Sequence, residues 1–234
     1  MRAAVVIFPG TNAEVEMVHT LRDLCGLSTS CVWHKDSDLP GQTDLVAIPG
    51  GFSYGDYLRA GALARAGRIV PAIRRHAERG GLVLGVCNGF QVLTETRLLP
   101  GALVRNQRLS FECRDVHVRI ENQGPFSWQL QGVFRLPIAH GEGRFHATPD
   151  TISRLEAEKS IAFRYCEVDG QLSADANPNG SVGSIAGVYG GPRHNILGLM
   201  PHPERASEPY VGASDGRKLF HAVIAWHAAH GALH

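Results

Sequence analysis

Several things are missing from this sequence, and each absence removes a class of function. Among 234 residues, 23 Lys and Arg are set against 22 Asp and Glu, a formal net charge of +1. The cations are scattered, so no basic stripe exists to follow a phosphate backbone, and nucleic acid is not an expected partner. Long apolar runs are absent too. The opening run, residues 3–8, is too short for a signal segment or a membrane span and is cut by Pro9-Gly10. No membrane association is expected, and a cytoplasmic location is. The five cysteines are an odd number, and none of Cys25, Cys31, Cys87, Cys113 and Cys166 stands in a CxxC pair. That pattern argues against a disulfide framework and a thiolate zinc site, and it fits a reducing compartment. With no HxxxH or HExxH spacing, no metal is expected. No GxxxxGK[ST] occurs and no GxGxxG follows the first apolar run, so the chain has no phosphate loop of its own.

What is present reads as a folded α/β chain. A hydrophobic content of 44% and a charged content of 19% suffice for a substantial core, and a single domain over 1–234 is the simplest count. Residues 3–8 read as a strand. Residues 11–26 read as a helix, with Val15, Val18, Leu21 and Cys25 on one face, Thr11 and Glu14 as a capping box and Gly26 as the stop. Strands follow at 30–33 and 44–48, a mostly helical stretch at 63–79, and a strand at 82–86. Short buried strands alternating with helices predict a doubly wound, mostly parallel sheet with flanking helices. The helical alternation weakens over 103–168, where strands at 116–120, 133–136 and 161–167 predict an antiparallel extension. Residues 175–183 form a turn-rich loop, expected exposed or against a partner. A terminal helix carries Leu219, Phe220, Val223, Ile224 and His227 on one face.

The most informative segment is Gly85-Val86-Cys87-Asn88-Gly89-Phe90-Gln91. It follows an apolar strand and opens a helix, so Cys87 sits at a sharp strand-to-helix turn where glycines two residues either side relieve crowding. A helix start directs N–H groups at the sulfur and favours thiolate. On spacing alone such a cysteine is as consistent with a structural role as with a reactive one. A thiolate nucleophile needs an imidazole, and the imidazole an orienting carboxylate; Pro201-His202-Pro203-Glu204 supplies both. Two apart in an extended segment, His202 and Glu204 would leave the backbone on the same side. The oxyanion formed on attack needs fixed donors: the Asn88 N–H is one candidate, and the Gly50-Gly51-Phe52 turn after the strand at 44–48 is the second. His140-Gly141-Glu142-Gly143-Arg144 reads either as a substrate or partner contact or as a flexible turn.

Taken together, the elbow and the Pro-His-Pro-Glu segment resemble the class I glutamine amidotransferases, whose signatures are G-x-C-x-G-x-Q and a later H-P-E. More narrowly, the run from Pro49 to Gly61, including Gly51-Phe52-Ser53-Tyr54-Gly55-Asp56, is similar to the glutaminase subunits of phosphoribosylformylglycinamidine synthases. So are Arg105-Asn106, Phe111-Glu112-Cys113-Arg114, Asn177-Pro178-Asn179-Gly180-Ser181 and Gly198-Leu199-Met200. One departure is Ser110, where the family pattern leads us to expect a basic residue. The resemblance implies a flavodoxin-like amidotransferase fold. It implies Cys87, His202 and Glu204 as catalytic residues, an oxyanion site at Gly51, Phe52 and Asn88, and Gln91 beside the glutamine. It implies L-glutamine as substrate, no cofactor in this subunit, and two partners: a large synthetase subunit that uses ATP and Mg, and a small bridging subunit. Rival readings are an ammonia-supplying subunit of another biosynthetic synthetase, a thiol-elbow peptidase or chaperone, and a non-catalytic binding module.

Overall fold

The structure, a computed structural model, describes residues 1–212 and 214–231. In chain order the elements are β1 (Arg2–Ile7), α1 (Glu14–Val18, continued by a π-helical turn His19–Leu24), β2 (Ser28–Trp33), β3 (Leu45–Ile48), α2 (Val70–Glu78), β4 (Leu82–Val86) and α3 (Asn88–Glu95). Then come β5 (Ala102–Val104), β6 (Glu112–Ile120), β7 (Val133–His140), β8 (Arg144–His146), α4 (Pro149–Ala157), β9 (Ile161–Cys166), β10 (Ile185–Gly190), β11 (Ile196–Leu199) and α5 (Asp215–His230). Nine strands make one sheet in the order β2-β1-β3-β4-β11-β10-β9-β6-β7, and β5 pairs with β8 separately.

The first five strands in that order are parallel and the last four antiparallel. This is the doubly wound sheet with an antiparallel extension that the sequence predicts. β3 and β4 are buried along their whole length, as central strands covered on both faces must be. Their carboxyl ends, together with that of β11, lie side by side, Ile48 in register with Gly85 and Leu199 with Val86. In an open parallel sheet this edge is where ligands bind, because loops leave the strands there.

Several local expectations are corrected. Thr11 does not cap α1; its Oγ1 accepts from the Phe8 N–H at 3.0 Å and closes the turn after β1, while Ala13 stands at the N-cap with no side-chain bond. The buried face of α1 is Met17, Thr20 and Leu21, and Val15 is exposed. The stretch 63–79 is two helices: a 3₁₀ turn, Leu63–Ala66, breaks at Gly67, whose backbone is extended and lies where any Cβ would press on Phe8. α4 and β10 have no counterpart in the sequence reading. The signal for α4 was there: Thr148 accepts from Thr151 N–H and Pro149 opens the helix. The loop at 175–183 is not free, since Asn179 and Ser181 are buried against the β7–β8 connection. Cys31, whose strand context in the sequence reads as that of an inert core thiol alongside Cys25 and Cys166, is exposed on the edge strand β2. Among the described residues no helix is long and apolar enough to cross a membrane.

Candidate active site

The elbow is built by close packing. A Cβ on Gly85 would stand 2.6 Å from the Gly89 carbonyl oxygen, and a Cβ on Gly89 would collide with the Ile48 carbonyl of β3. Glycine at both positions lets α3 start against β4 and lie across the end of β3. Between them Cys87 takes φ 51°, ψ −105°, a sparsely populated conformation for a residue with a side chain. Its N–H still donates to Leu199 of β11 at 2.8 Å, so the turn is anchored. The thiol is buried, with Sγ 3.7 Å from the Ala139 carbonyl of β7. The amide of Asn88, next in sequence, donates to no acceptor among the described residues.

His202 and Glu204 meet by a different route from the expected one. Pro203 is helical rather than extended (φ −67°, ψ −30°), and Glu204 opens a 3₁₀ turn. The turn is secured where the Pro203 carbonyl accepts from Ala206 N–H and Ser207 Oγ. Nδ1 of His202 lies 2.5 Å from Glu204 Oε1, both side chains being inaccessible to water, and the His202 N–H donates to Pro137 of β7 at 2.8 Å. Thr20, in the π-helical turn, donates from Oγ1 to the Glu204 carbonyl. With the carboxylate accepting from Nδ1, Nε2 is left facing Cys87 and is free to exchange its proton there. Burial alone would lower the His202 pKa, but the charges and hydrogen bonds of Glu204 and Cys87 outweigh it and raise it well above 6.5.

A raised value means that the imidazolium is retained to alkaline pH and is lost as pH climbs through the folded pKa. Glu204→Gln removes the larger of the two charges holding it. The expected results are about a hundredfold lower kcat for glutamine hydrolysis and an alkaline limb of the pH profile displaced toward neutrality. An unmoved limb would mean that Glu204 does not set the charge state of His202.

The Gly50-Gly51-Phe52 turn reaches the same point from β3. Asn12 and Ala13 N–H groups donate to Gly50 O, and Phe52 N–H donates to Gly10 O at 2.9 Å. The Phe52 amide is thereby committed, whereas that of Gly51 has no acceptor among the described residues. Gly51 and Asn88 are thus the free N–H pair, and Phe52 contributes a half-exposed ring at the rim. Gly50 abuts the pair directly: a Cβ there would stand 2.5 Å from His202 Cε1 and 3.5 Å from Cys87 Cβ. Its φ is not in the positive region, so Gly50→Ala strains no backbone. We expect it to fold normally while losing about a hundredfold in kcat/KM by displacing the imidazole. Wild-type kinetics in that variant would contradict the contact.

Asn88 and Gln91 form a polar chain beside the thiol. Ser53 N–H donates to Asn88 Oδ1, Asn88 Nδ2 to Gln91 Oε1 at 2.8 Å, and Gln91 Nε2 to the Glu142 carbonyl at 2.7 Å. Gln91 therefore ties α3 to the β7–β8 connection. That connection is a hydrogen-bonded wall, partly buried at Gly141 and Glu142 and buried at Gly143. Asn106 Nδ2 donates to the Ser110 and His140 carbonyls, so its Oδ1 accepts from Gly143 N–H and from His140 Nδ1. His140 is thus fixed as the Nδ1–H tautomer. Burial and the nearby charge of His202 push its pKa down to about 4, keeping it neutral. The Arg105-Asn106 motif, to which the sequence assigns no role, thus supplies the residue that organises this wall. At Ser110, the departure from the family pattern, the hydroxyl donates to Glu112.

An elbow cysteine beside a buried His–Glu pair, with unpaired N–H groups in the two adjoining turns at the carboxyl edge of a doubly wound sheet, is the arrangement of a class I glutamine amidotransferase. A family profile described as a CobB/CobQ-like glutamine amidotransferase domain matches residues 1–226. The chain is 53% identical over 229 residues to the phosphoribosylformylglycinamidine synthase subunit PurQ of Gloeobacter violaceus, covering 96% of this chain and 97% of that one. To the subunit of the same name from Rhodopseudomonas palustris strain CGA009 it is 49% identical over 235 residues, covering 99% and 100%. The PurLQS structure from Thermotoga maritima contains a chain that superposes with a TM-score of 0.83 at 39% identity, over 96% of this chain and 98% of its own. This chain belongs to the PurQ family of glutamine amidotransferases.

Proposed function

We propose that this protein is the glutaminase subunit of a phosphoribosylformylglycinamidine synthase, and that Cys87, His202 and Glu204 carry its chemistry. The observation that supports the reading best is the buried Glu204–His202 pair, 2.5 Å apart, whose free ring nitrogen faces the elbow cysteine. The Cys87 thiolate attacks the side-chain amide carbon of L-glutamine, and the Gly51 and Asn88 N–H groups take the oxyanion. His202 gives its proton to the departing nitrogen, so the C–N bond breaks to leave ammonia and a glutamyl thioester. Water, deprotonated by His202, then hydrolyses the thioester to glutamate and restores the thiol.

Ammonia is useful only unprotonated, so it must pass directly to the acceptor. The similarity to a chain of PurLQS supports a separate synthetase subunit as the site of ATP and Mg²⁺ chemistry, with a small third subunit bridging the two. That synthetase converts formylglycinamide ribonucleotide to formylglycinamidine ribonucleotide in purine biosynthesis. A glutamine-like electrophile should modify Cys87 alone, read by peptide mass spectrometry. Glutamate release by the isolated chain should be slow and rise when the synthetase is added. Labelling elsewhere would sink the nucleophile assignment, and equal rates with and without the synthetase would sink the coupling.

A further inference from the structure

The Gly51 N–H is aimed by groups outside the catalytic pair. Gly50 O accepts from the Asn12 and Ala13 N–H groups, and in a planar peptide unit the C=O and N–H are opposed, so the Gly51 N–H points away from the start of α1. Three bonds carry the turn onward: Phe52 N–H to Gly10 O at 2.9 Å, Gly55 N–H to Phe52 O at 2.7 Å and Tyr54 N–H to Pro9 O at 2.6 Å. The backbone then passes through the left-handed region at Tyr54, Gly55 and Asp56 (φ 54°, 68° and 55°). Tyr54 and Asp56 carry β-carbons, so the shape is disfavoured by its own residues and persists because its surroundings impose it.

One of those surroundings is a side chain from the far edge of the sheet. His34 follows β2, and its backbone is fixed on both sides: its N–H donates to Ile7 O at 3.0 Å and its carbonyl accepts from Ile69 N–H at 3.3 Å. The residue is 7% exposed, with its ring centroid 4.6 Å from that of Trp33 and 6.1 Å from that of Phe8. Nδ1 lies 2.8 Å from Tyr54 Oη, the two rings meeting edge-on at 86°. Nε2 is sealed from water and has no partner among the described residues. Whichever nitrogen holds the proton, a polar atom is left unsatisfied between aromatic rings, a cost that leucine at this position would avoid. The Tyr54 bond is the one hydrogen bond the ring makes among the described residues, and it goes to the turn that carries an oxyanion donor.

Building on the glutaminase reading, we propose that His34 and Tyr54 are positioning residues for glutamine hydrolysis: their hydrogen bond tethers residues 51–56 to the end of β2 and so holds the Gly51 N–H where the oxyanion forms. Both act through the backbone of the turn and not on the substrate. Oxyanion donors work on charge that exists only as the thiolate attacks, so their placement bears on the transition state more than on bound glutamine. Loosening the turn therefore slows turnover and leaves glutamine binding nearly as it was.

The test measures glutamate release by the complete chain with the synthetase present, for wild type, Tyr54→Phe, His34→Leu, His34→Asn and the double variant His34→Leu/Tyr54→Phe, each with its melting temperature. Two further readouts separate the oxyanion site from the thiolate. Glutamate γ-semialdehyde adds to Cys87 through a new S–C bond that turns its carbonyl oxygen into an oxyanion, so its inhibition constant reports the donors; alkylation of Cys87 by iodoacetamide needs the thiolate alone. Tyr54→Phe and His34→Leu should each lower kcat about tenfold and weaken the semialdehyde about tenfold, with KM and the alkylation rate within about twofold of wild type. His34→Asn, whose amide stands near the place of Nδ1, should recover about half of the wild-type kcat. The double variant leaves neither polar group unpaired, so it should melt no lower than Tyr54→Phe while remaining as slow as either single change. Wild-type kcat in the two single variants would overturn the proposal, as would wild-type kcat in the double variant, because the unpaired groups alone would then explain the loss. Losses in KM, alkylation and melting temperature that track kcat would make the bond merely structural, and His34→Asn as slow as His34→Leu would remove the tether. A wild-type chain that binds the semialdehyde without releasing glutamate would retire the coupling while the inhibition constants still judge the brace. If the semialdehyde fails to protect Cys87 in wild type, the glutaminase reading falls and the proposal with it.

Discussion

Cys87→Ser is expected to lower glutamine hydrolysis by about 10⁴-fold or more, measured as kcat for glutamate release with the synthetase present. A hydroxyl is a far weaker acid and a far poorer nucleophile than a thiol, so His202 cannot activate it to a comparable extent. Because serine fills nearly the same volume in the buried elbow, unfolding free energy should stay within about 1 kcal/mol of wild type. Loss of activity with an intact fold separates chemistry from structure. A variant retaining a tenth of the activity would place the nucleophile elsewhere. Cys87→Gly, equally inactive, should be no less stable than Cys87→Ser, because glycine adopts φ 51° without strain.

Gly89→Ala is expected to cost about 4 kcal/mol or more of folding stability, the exceptional end of the range for single substitutions. Inside a helix, alanine for glycine normally stabilises by about 1 kcal/mol. Here the added methyl would occupy the position of the Ile48 carbonyl oxygen, with Ile48 Cβ only 3.1 Å away. α3 cannot retreat, because the Cys87 N–H at its start is bonded to the Leu199 carbonyl of β11 and Phe90 is packed in the core. Either β3 moves, taking the Gly50-Gly51 turn with it, or the helix start unwinds. A urea unfolding midpoint equal to that of wild type would show that helix and strand do not approach as closely as described. Activity should fall with stability, since the elbow and the oxyanion turn share this contact.

Two kinds of information were legible without coordinates. The parallel half of the sheet was, because β1, β3 and β4 are short apolar runs with no polar alternation, and burial on both faces demands that composition. The identities at the elbow were too, since Gly85, Cys87 and Gly89 report a steric need as well as a chemistry. Less legible were features whose cause lies far along the chain. α4 was hidden by its position inside a β-rich stretch, although Thr148 and Pro149 announce its start. Val15 occupies a plausible helical face with Leu21, yet the helix buries Met17 beside Leu21 and leaves Val15 exposed.

The sequence by itself determined the reacting groups and the neighbourhood of each: a thiol at a strand end, an imidazole two residues from a carboxylate, glycines where backbone must approach. Side-chain chemistry and local sterics suffice for that much. Only the tertiary structure decided which groups remain available. It committed the Phe52 amide to Gly10 and left that of Gly51 free, used Gln91 to brace the wall at Glu142, and sealed the Glu204–His202 pair from water. Those outcomes depend on hydrogen bonds and burial between segments 40 to 200 residues apart in sequence. Such contacts exist only once the sheet has brought the strand ends together.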